Sequence, residues 1–325
     1  MSAVTQLFED AAIPGRTGRL DGIRPQFPSL AETAPPLDRV ADMIAAASFQ
    51  DLAVEFDRND RILWCDFRFK NRPCFTEAML HDFARVRVLM QSVHAAVPEI
   101  ASPVRYVALR SPMPGTWNLG GDLNLFAELI RLRDRERLTR YAIAAAESGY
   151  HYTTSFGLPL TTVSLVQGDA LGGGFEAALS SNLLIAERSA KFGLPEILFN
   201  MFPGMGAYTF LARRIGAGLA ERMITSGSVY GAEELHAMGV IDVLAEDGGA
   251  VDAFHEHIGR AGSRFAAHRA IQDVRRIVNP ITLREMHEVA HVWVDLALRL
   301  EDADLRKMAR LVAAQDRRRA RQASS

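Results

Sequence analysis

Two acidic residues in apolar company carry the strongest chemical signal in this sequence. The stretch QGDALGGGFEAALSSN, Gln167 to Asn182, sets Gly172, Gly173 and Gly174 just ahead of Glu176. The segment FGLPEILF places Glu196 behind Pro195, among Phe192, Leu194, Ile197 and Leu198. A carboxyl withdrawn from water holds its proton to higher pH, which suits it to proton transfer near neutrality. The glycines have a complementary use. A glycine-rich turn from a strand into a helix lets the backbone approach a ligand closely and aims unpaired amide N–H groups at one point. That point holds negative charge, either a phosphate or an oxyanion that develops during a reaction. Neither the G-x-x-x-x-G-K-S/T of a phosphate loop nor the G-x-G-x-x-G of a dinucleotide site is present, so the oxyanion leads. For a glycine pair taken alone, a tight turn packing a helix on a sheet is the plain alternative. Here a second pair, Gly120 and Gly121 in WNLGGDLNLF, can supply another donor, and FPGMGAY completes the loop after Glu196.

The elements that must position these residues read as α/β. LAVEFD and RILWCDFRF alternate apolar and polar residues around the turn DRND, a hairpin signal. FTEAMLHDFARVRVLMQSVHAA spaces Phe75, Met79, Phe83, Val86 and Met90 along one helical face, with Thr76 as its N-cap. A strand VRYVALRS follows, then the turn-rich PMPGTWNLGGD and one long amphipathic helix over 123–148. The strand TTVSLVQG runs into the glycines, a short helix, and the strand LLIAER. This order implies parallel crossovers. GAEELHAMGVIDVLAE predicts a helix stopped by Gly239 and one more strand, after which the pattern is helical only. The reading therefore divides the chain into an extended or partly disordered lead-in over 1–50, a core over 51–250 and a C-terminal helical region over 251–325. Pro14 to Pro36 is rich in Pro, Gly and charge, without a periodic apolar face.

Composition narrows the classes of function. The chain has 325 residues, 48% of them hydrophobic, enough for a sizeable core. A net charge of −2 leaves no electrostatic footprint for nucleic acid, and the terminal DRRRARQ reads as a solvated helix end. The start lacks the basic opening and apolar core of a secretory signal, and no window has the ~18 apolar residues of a membrane span, so a soluble, cytoplasmic protein is expected. Cys65 and Cys74 make neither a disulfide framework nor a multi-cysteine metal site, and are expected to be buried thiols. No cofactor is implied.

Taken together, WNLGGDL, VQGDALGGGFEAAL, FGLPEILFNMFPGMGAY and AEELHAMGVID, in that order and spacing, resemble the crotonase (enoyl-CoA hydratase/isomerase) superfamily. The resemblance spans roughly Val104 to Val243. It implies a β-β-α superhelix, assembled as a homotrimer or other homo-oligomer, that binds acyl thioesters and stabilises their enolates. It assigns the oxyanion-hole amides to Gly121 and Gly173, and matches Glu176 and Glu196 to the two glutamates of the hydratases. Within the superfamily the chain is most similar to the bacterial diffusible signal factor synthases, through GDLNLFAELIRLRDRERLTRYA, FPGMGAY and the C-terminal WVDLALRL and LRKMARLVAAQDRR. That implies dehydration of a 3-hydroxyacyl group on acyl carrier protein and cleavage of its thioester, releasing a cis-2-unsaturated fatty acid. It also implies a membrane sensor kinase as a regulatory partner. A CoA-dependent enoyl hydratase is the alternative. Leu171, Gly172, Met205 and Trp293 are candidates for the acyl pocket, with core packing the competing role for Leu171, Met205 and Trp293. Arg131, Arg133 and Arg135 are either an exposed helix face or a contact for an acidic carrier protein.

Other signals point elsewhere. HEVAH, His287 to His291, matches H-E-x-x-H on a predicted helix, with two imidazoles one turn apart and Glu288 as base, the pattern of a zinc peptidase. No third ligand stands at a familiar spacing. Asp122 reads as a helix cap and Asp169 as a turn residue. A catalytically inert member acting only as a binding partner is a further alternative, against which the presence of both glutamates counts.

Overall fold

A computed structural model describes residues 34–322. The chain opens with α1 (Pro36–Ala45), β1 (Leu52–Asp57), β2 (Ile62–Phe67) and α2 (Glu77–Ala96). Then come β3 (Tyr106–Arg110), β4 (Gly115–Asn118), α3 (Leu123–Leu132), α4 (Arg135–Thr153), β5 (Thr161–Val166), β6 (Gly168–Leu171) and α5 (Gly173–Leu179). Next are β7 (Leu183–Glu187), β8 (Lys191–Gly193), a 3-10 turn (Pro195–Phe199), α6 (Ala207–Ile215) and α7 (Ala217–Ser226). The remainder is β9 (Val229–Gly231), α8 (Ala232–Ala237), β10 (Val243–Ala245), α9 (Ala250–Ala261), α10 (Phe265–Val278), α11 (Leu283–Ala297) and α12 (Asp302–Gln322).

The strands form two sheets. One has the order β1-β2-β3-β5-β7-β10, parallel except for the β1–β2 hairpin, and the other runs β4-β6-β8-β9. Successive strands alternate between them: β3 then β4, β5 then β6, β7 then β8, each pair followed by helix. The molecule thus winds as β-β-α turns, the superhelix implied by the resemblance. β5 is buried along its whole length, as a central parallel strand covered on both faces must be. On one face of the larger sheet Trp64, Tyr106, Val163 and Ile185 pack with Phe254 and Ile258 of α9. The helical region after residue 250 therefore shares the core of the sheet.

Several local expectations hold. The Thr76 hydroxyl caps α2 by accepting from Met79 N at 3.0 Å, and the Asp122 carboxylate caps α3 by accepting from Asn124 N and Leu125 N at 3.1 Å each. Cys65 and Cys74 are both buried.

Others are corrected. The lead-in expected to reach residue 50 contains α1, which starts on a proline with its φ preset for a helix and buries Val40, Met43 and Ile44 on one face. The part of that lead-in before residue 34 lies outside the described residues. The single helix expected over 123–148 is two helices, because Arg133 takes a left-handed φ of 52° and Asp134 caps a new start by accepting from Arg137 N at 3.0 Å. Asp169 is a buried residue of β6, not a turn residue, and it pairs with Arg318 at 3.1 Å.

Candidate active site

The two glycine turns and the two acids converge where the smaller sheet ends. β6 runs into Gly172, whose φ of +54° only glycine adopts without strain, and α5 starts at Gly173. On the neighbouring strand, β4 runs into Gly120 and Gly121. The two turns are in contact: a Cβ built on Gly120 would lie 2.7 Å from Gly173 N, and one built on Gly173 would lie 3.4 Å from Gly121 N. Gly174 has no room for a side chain either, since its Cβ would fall 2.1 Å from the Asn118 carbonyl oxygen.

Peptide planarity then fixes where the two amides point. The Gly120 carbonyl accepts from Phe75 N at 2.7 Å, so the Gly121 N–H of the same trans peptide points the opposite way. The Gly172 carbonyl accepts from Glu176 N at 3.1 Å as the first bond of α5, so the Gly173 N–H projects out of the helix start. Among the described residues neither amide has an acceptor. Both glycines line one cavity, together with Glu176 and Glu196.

The acids are held very differently. Glu176 is buried on α5, and its Oε1 accepts from Met205 N at 2.7 Å and Ala207 N at 2.9 Å. Ala207 is the first residue of α6 and Met205 lies just before its N-cap, so the positive end of that helix also faces the carboxylate. Burial pushes the Glu176 carboxyl up from its ordinary value, and the hydrogen bonds from Ala207, Met205 and Gly206 act against that shift. Glu196 sits in the 3-10 turn with its Oε1 beside Gly172, where an added Cβ would meet it at 2.7 Å. Its Oε2 is buried with no hydrogen-bond partner among the described residues. Burial raises this carboxyl first, and the nearby Glu176 charge raises it further. Of the pair, Glu196 is the better proton holder and Glu176 the better anion.

The rest of the cavity is mainly apolar. Met205 and Trp293 line it beside Gly172. Trp293 stacks edge-on against Phe126 at 5.0 Å and presses on Gly204, where a Cβ would fall 2.4 Å from its ring. Leu171 is not among the lining residues; its Cδ2 lies against Gly193 of β8, 3.4 Å from where a Cβ there would stand.

Sequence reasoning missed the wall made by α12 and the connection that leads into it, where Leu300, Met308, Leu311 and Gln315 reach the cavity. Gln315 is tied down by Arg72 Nη2, which donates to its Oε1 at 2.7 Å. Tyr141 was missed too; it lines the cavity and donates its hydroxyl to the Phe75 carbonyl at 2.6 Å. Its signal in the sequence is only a tyrosine on a helix.

The metal motif does not assemble. His287 Nε2 lies 3.1 Å from Glu147 Oε1, His291 is exposed, and no group of three or more potential ligands that could hold a metal occurs among the described residues. Arg135 pairs with Asp295 at 2.7 Å, while Arg131 and Arg133 are exposed.

Alternating sheets, facing glycine turns and a paired carboxyl site define a class of α/β proteins to which comparison gives a name. The sequence model of the enoyl-CoA hydratase/isomerase family matches residues 89–280, and the chain belongs to that family, within the crotonase superfamily. A cyclohexa-1,5-dienecarbonyl-CoA hydratase from Thauera aromatica is 41% identical over 117 residues, 34% of this chain and 45% of that protein. The matches span about half the length of such curated relatives. Among solved structures, an enoyl-CoA hydratase from Bacillus halodurans aligns with a TM-score of 0.65 at 20% identity, over 80% of this chain and 98% of that one. Pseudomonas aeruginosa DspI aligns at 0.60 and 23% identity, over 77% and 98%. These two likenesses establish the fold. Among the described residues no helix is long and apolar enough to cross a membrane.

Proposed function

We propose that this protein dehydrates 3-hydroxyacyl thioesters and then hydrolyses them, releasing a cis-2-unsaturated fatty acid of the diffusible signal factor type. The observation that carries the reading is the pair of raised carboxyls, one bonded to backbone amides and one with a bare oxygen, sharing a cavity with two unpartnered glycine amides. The apolar wall from Phe126, Trp293, Leu300 and Met308 suits an acyl chain. The sequence resemblance to the signal synthases supports the specific product.

The chemistry closes as a cycle. Glu176 begins as the carboxylate and Glu196 as the acid. Glu176 takes the C2 proton of the substrate while Gly121 and Gly173 N–H stabilise the enolate oxygen. Glu196 protonates the departing 3-hydroxyl, which leaves as water. Glu176 is now protonated and Glu196 ionised. Glu196 next draws a proton from a water that attacks the thioester carbon, and the same two amides hold the tetrahedral oxyanion. Collapse breaks the C–S bond, Glu176 protonates the thiolate, and both acids return to their starting states.

The carrier is proposed to be acyl carrier protein, with the exposed Arg131 and Arg133 near the outer end of α3 as its contact. A CoA-dependent hydratase is the second reading, favoured by the names of the curated relatives. Purified protein given 3-hydroxyacyl carrier protein and 3-hydroxyacyl-CoA side by side separates the two. Fatty acid released from the carrier form is the expected result. Reversible hydration on CoA without release would establish the alternative.

A further inference from the structure

Asn118, the last residue of β4, is fully buried where the β4–β6 ladder shifts register. Its Oδ1 accepts from Gly120 N at 2.8 Å. The same residue abuts the other glycine turn, since a Cβ on Gly174 would meet the Asn118 carbonyl oxygen at 2.1 Å and its Cβ at 3.2 Å. One side chain and its backbone thus touch Gly120, whose carbonyl shares a peptide with Gly121 N–H, and Gly174, which directly follows Gly173. With Phe75 N holding the Gly120 carbonyl at 2.7 Å, Asn118 secures the remaining polar group of Gly120, a residue otherwise free to rotate at a φ of +91°.

We propose that Asn118 is a positioning residue that sets the direction of the Gly121 amide relative to that of Gly173, so that both reach one carbonyl oxygen. The inference rests on the carbonyl site proposed above. A buried asparagine that merely stabilises a turn would contribute to folding alone. Its Nδ2 is buried without a partner among the described residues, so only the Oδ1 bond offsets the desolvation of this amide. Misaiming one donor of a pair costs turnover rather than binding, because the oxyanion exists only along the reaction path.

The test uses the full chain, N118A, N118S, and, as a control, I185A, a core variant on β7 of the other sheet. The probe is an acyl-dethia ketone carrying a 13C carbonyl, presented both on acyl carrier protein and on CoA, in which CH2 replaces the thioester sulfur so that it cannot be hydrolysed. In the wild type, binding should shift the carbonyl stretch to lower frequency. N118A should lose most of that shift and about 10- to 100-fold in kcat, with KM changed little. N118S, whose hydroxyl can still accept from Gly120 N, should recover part of both, and this variant carries the test should N118A not fold. I185A should lower Tm and leave the shift intact. A wild-type shift retained in N118A and N118S, with only Tm reduced, overturns the role of Asn118. No shift in the wild type with either form of the probe overturns the carbonyl site itself, and this inference with it.

Discussion

Glu176 and Glu196 share a cavity but stand on opposite kinds of support. Glu176 belongs to a short, wholly buried helix and has its Oε1 bonded to two backbone amides at the start of α6. Glu196 rides on a 3-10 turn whose neighbours Ile197 and Leu198 are exposed, and its Oε2 has no partner among the described residues. The same burial that raises both carboxyls is offset in one and compounded in the other. Two chemically identical side chains are thereby shifted by different surroundings, and the division of labour proposed for them rests on the backbone around them.

The sharpest way to break this comparison is to neutralise each acid in turn. Glu176→Gln and Glu196→Gln should each lower product release by about 10²- to 10⁴-fold, the usual worth of a positioned acid or base. Solvent exchange separates them. In D2O, Glu196→Gln should still exchange the C2 proton of a 3-hydroxyacyl thioester, because Glu176 remains to abstract it, whereas Glu176→Gln should not. Mass spectrometry of recovered substrate reads this directly, and equal exchange in both variants would reverse or erase the assignment.

The difference in support also has a structural consequence of intermediate size. Glu176→Ala strands the Met205 and Ala207 N–H groups inside the protein and should cost about 1–3 kcal/mol. Glu196→Ala removes a desolvated group with an idle oxygen, so its stability should match or exceed the wild type. Denaturant melts of the two variants check the ordering. Destabilisation by Glu196→Ala comparable to that by Glu176→Ala would mean that Glu196 is the better-supported group.

How much of this was legible in the sequence depended on the range of the determining contact. Gly172 to Gly174, Glu176 and Glu196 were readable because a strand, a glycine turn and a helix start follow one another locally. The Thr76 and Asp122 caps were readable for the same reason. β4, β6, β8 and β9 were not, since strands of three or four residues are too short to show alternation, and their pairing is settled by the second sheet they form. The division at Arg133 was carried by Asp134, an acid whose capping role is hidden in a run of charges. The acyl end was opaque in another way. Nothing local to Leu300, Met308 or Gln315 says that α12 folds back over residues far earlier in the chain. Leu171 is absent from the cavity wall because its side chain lies over its register partner Gly193 of β8, which has no side chain to keep it away.

The smallest expected effect is the dependence of stability on pH, and its sign distinguishes the two environments. Both carboxyls have folded-state values raised above their unfolded ones, so between those values the folded protein binds more protons than the unfolded chain. Stability attributable to the pair is therefore greatest below the ordinary carboxylate range and falls as pH rises toward the raised folded values, with a slope of at most about 1.4 kcal/mol per pH unit per group. Glu196→Gln removes the more strongly opposed titration and also the charge that Glu176 would meet when both ionise. Its Tm advantage over the wild type should thus be near zero around pH 4, grow as pH rises, and level off once the wild-type pair is ionised. Glu176→Gln should show a weaker trend, because the amides of α6 already favour its anion and their lost charge-assisted bonds offset the gain. A Tm difference for Glu196→Gln that is flat with pH, or that shrinks as pH rises, would show that its carboxyl is not held protonated by its surroundings. The acid role assigned to it in the first step would then fall with it.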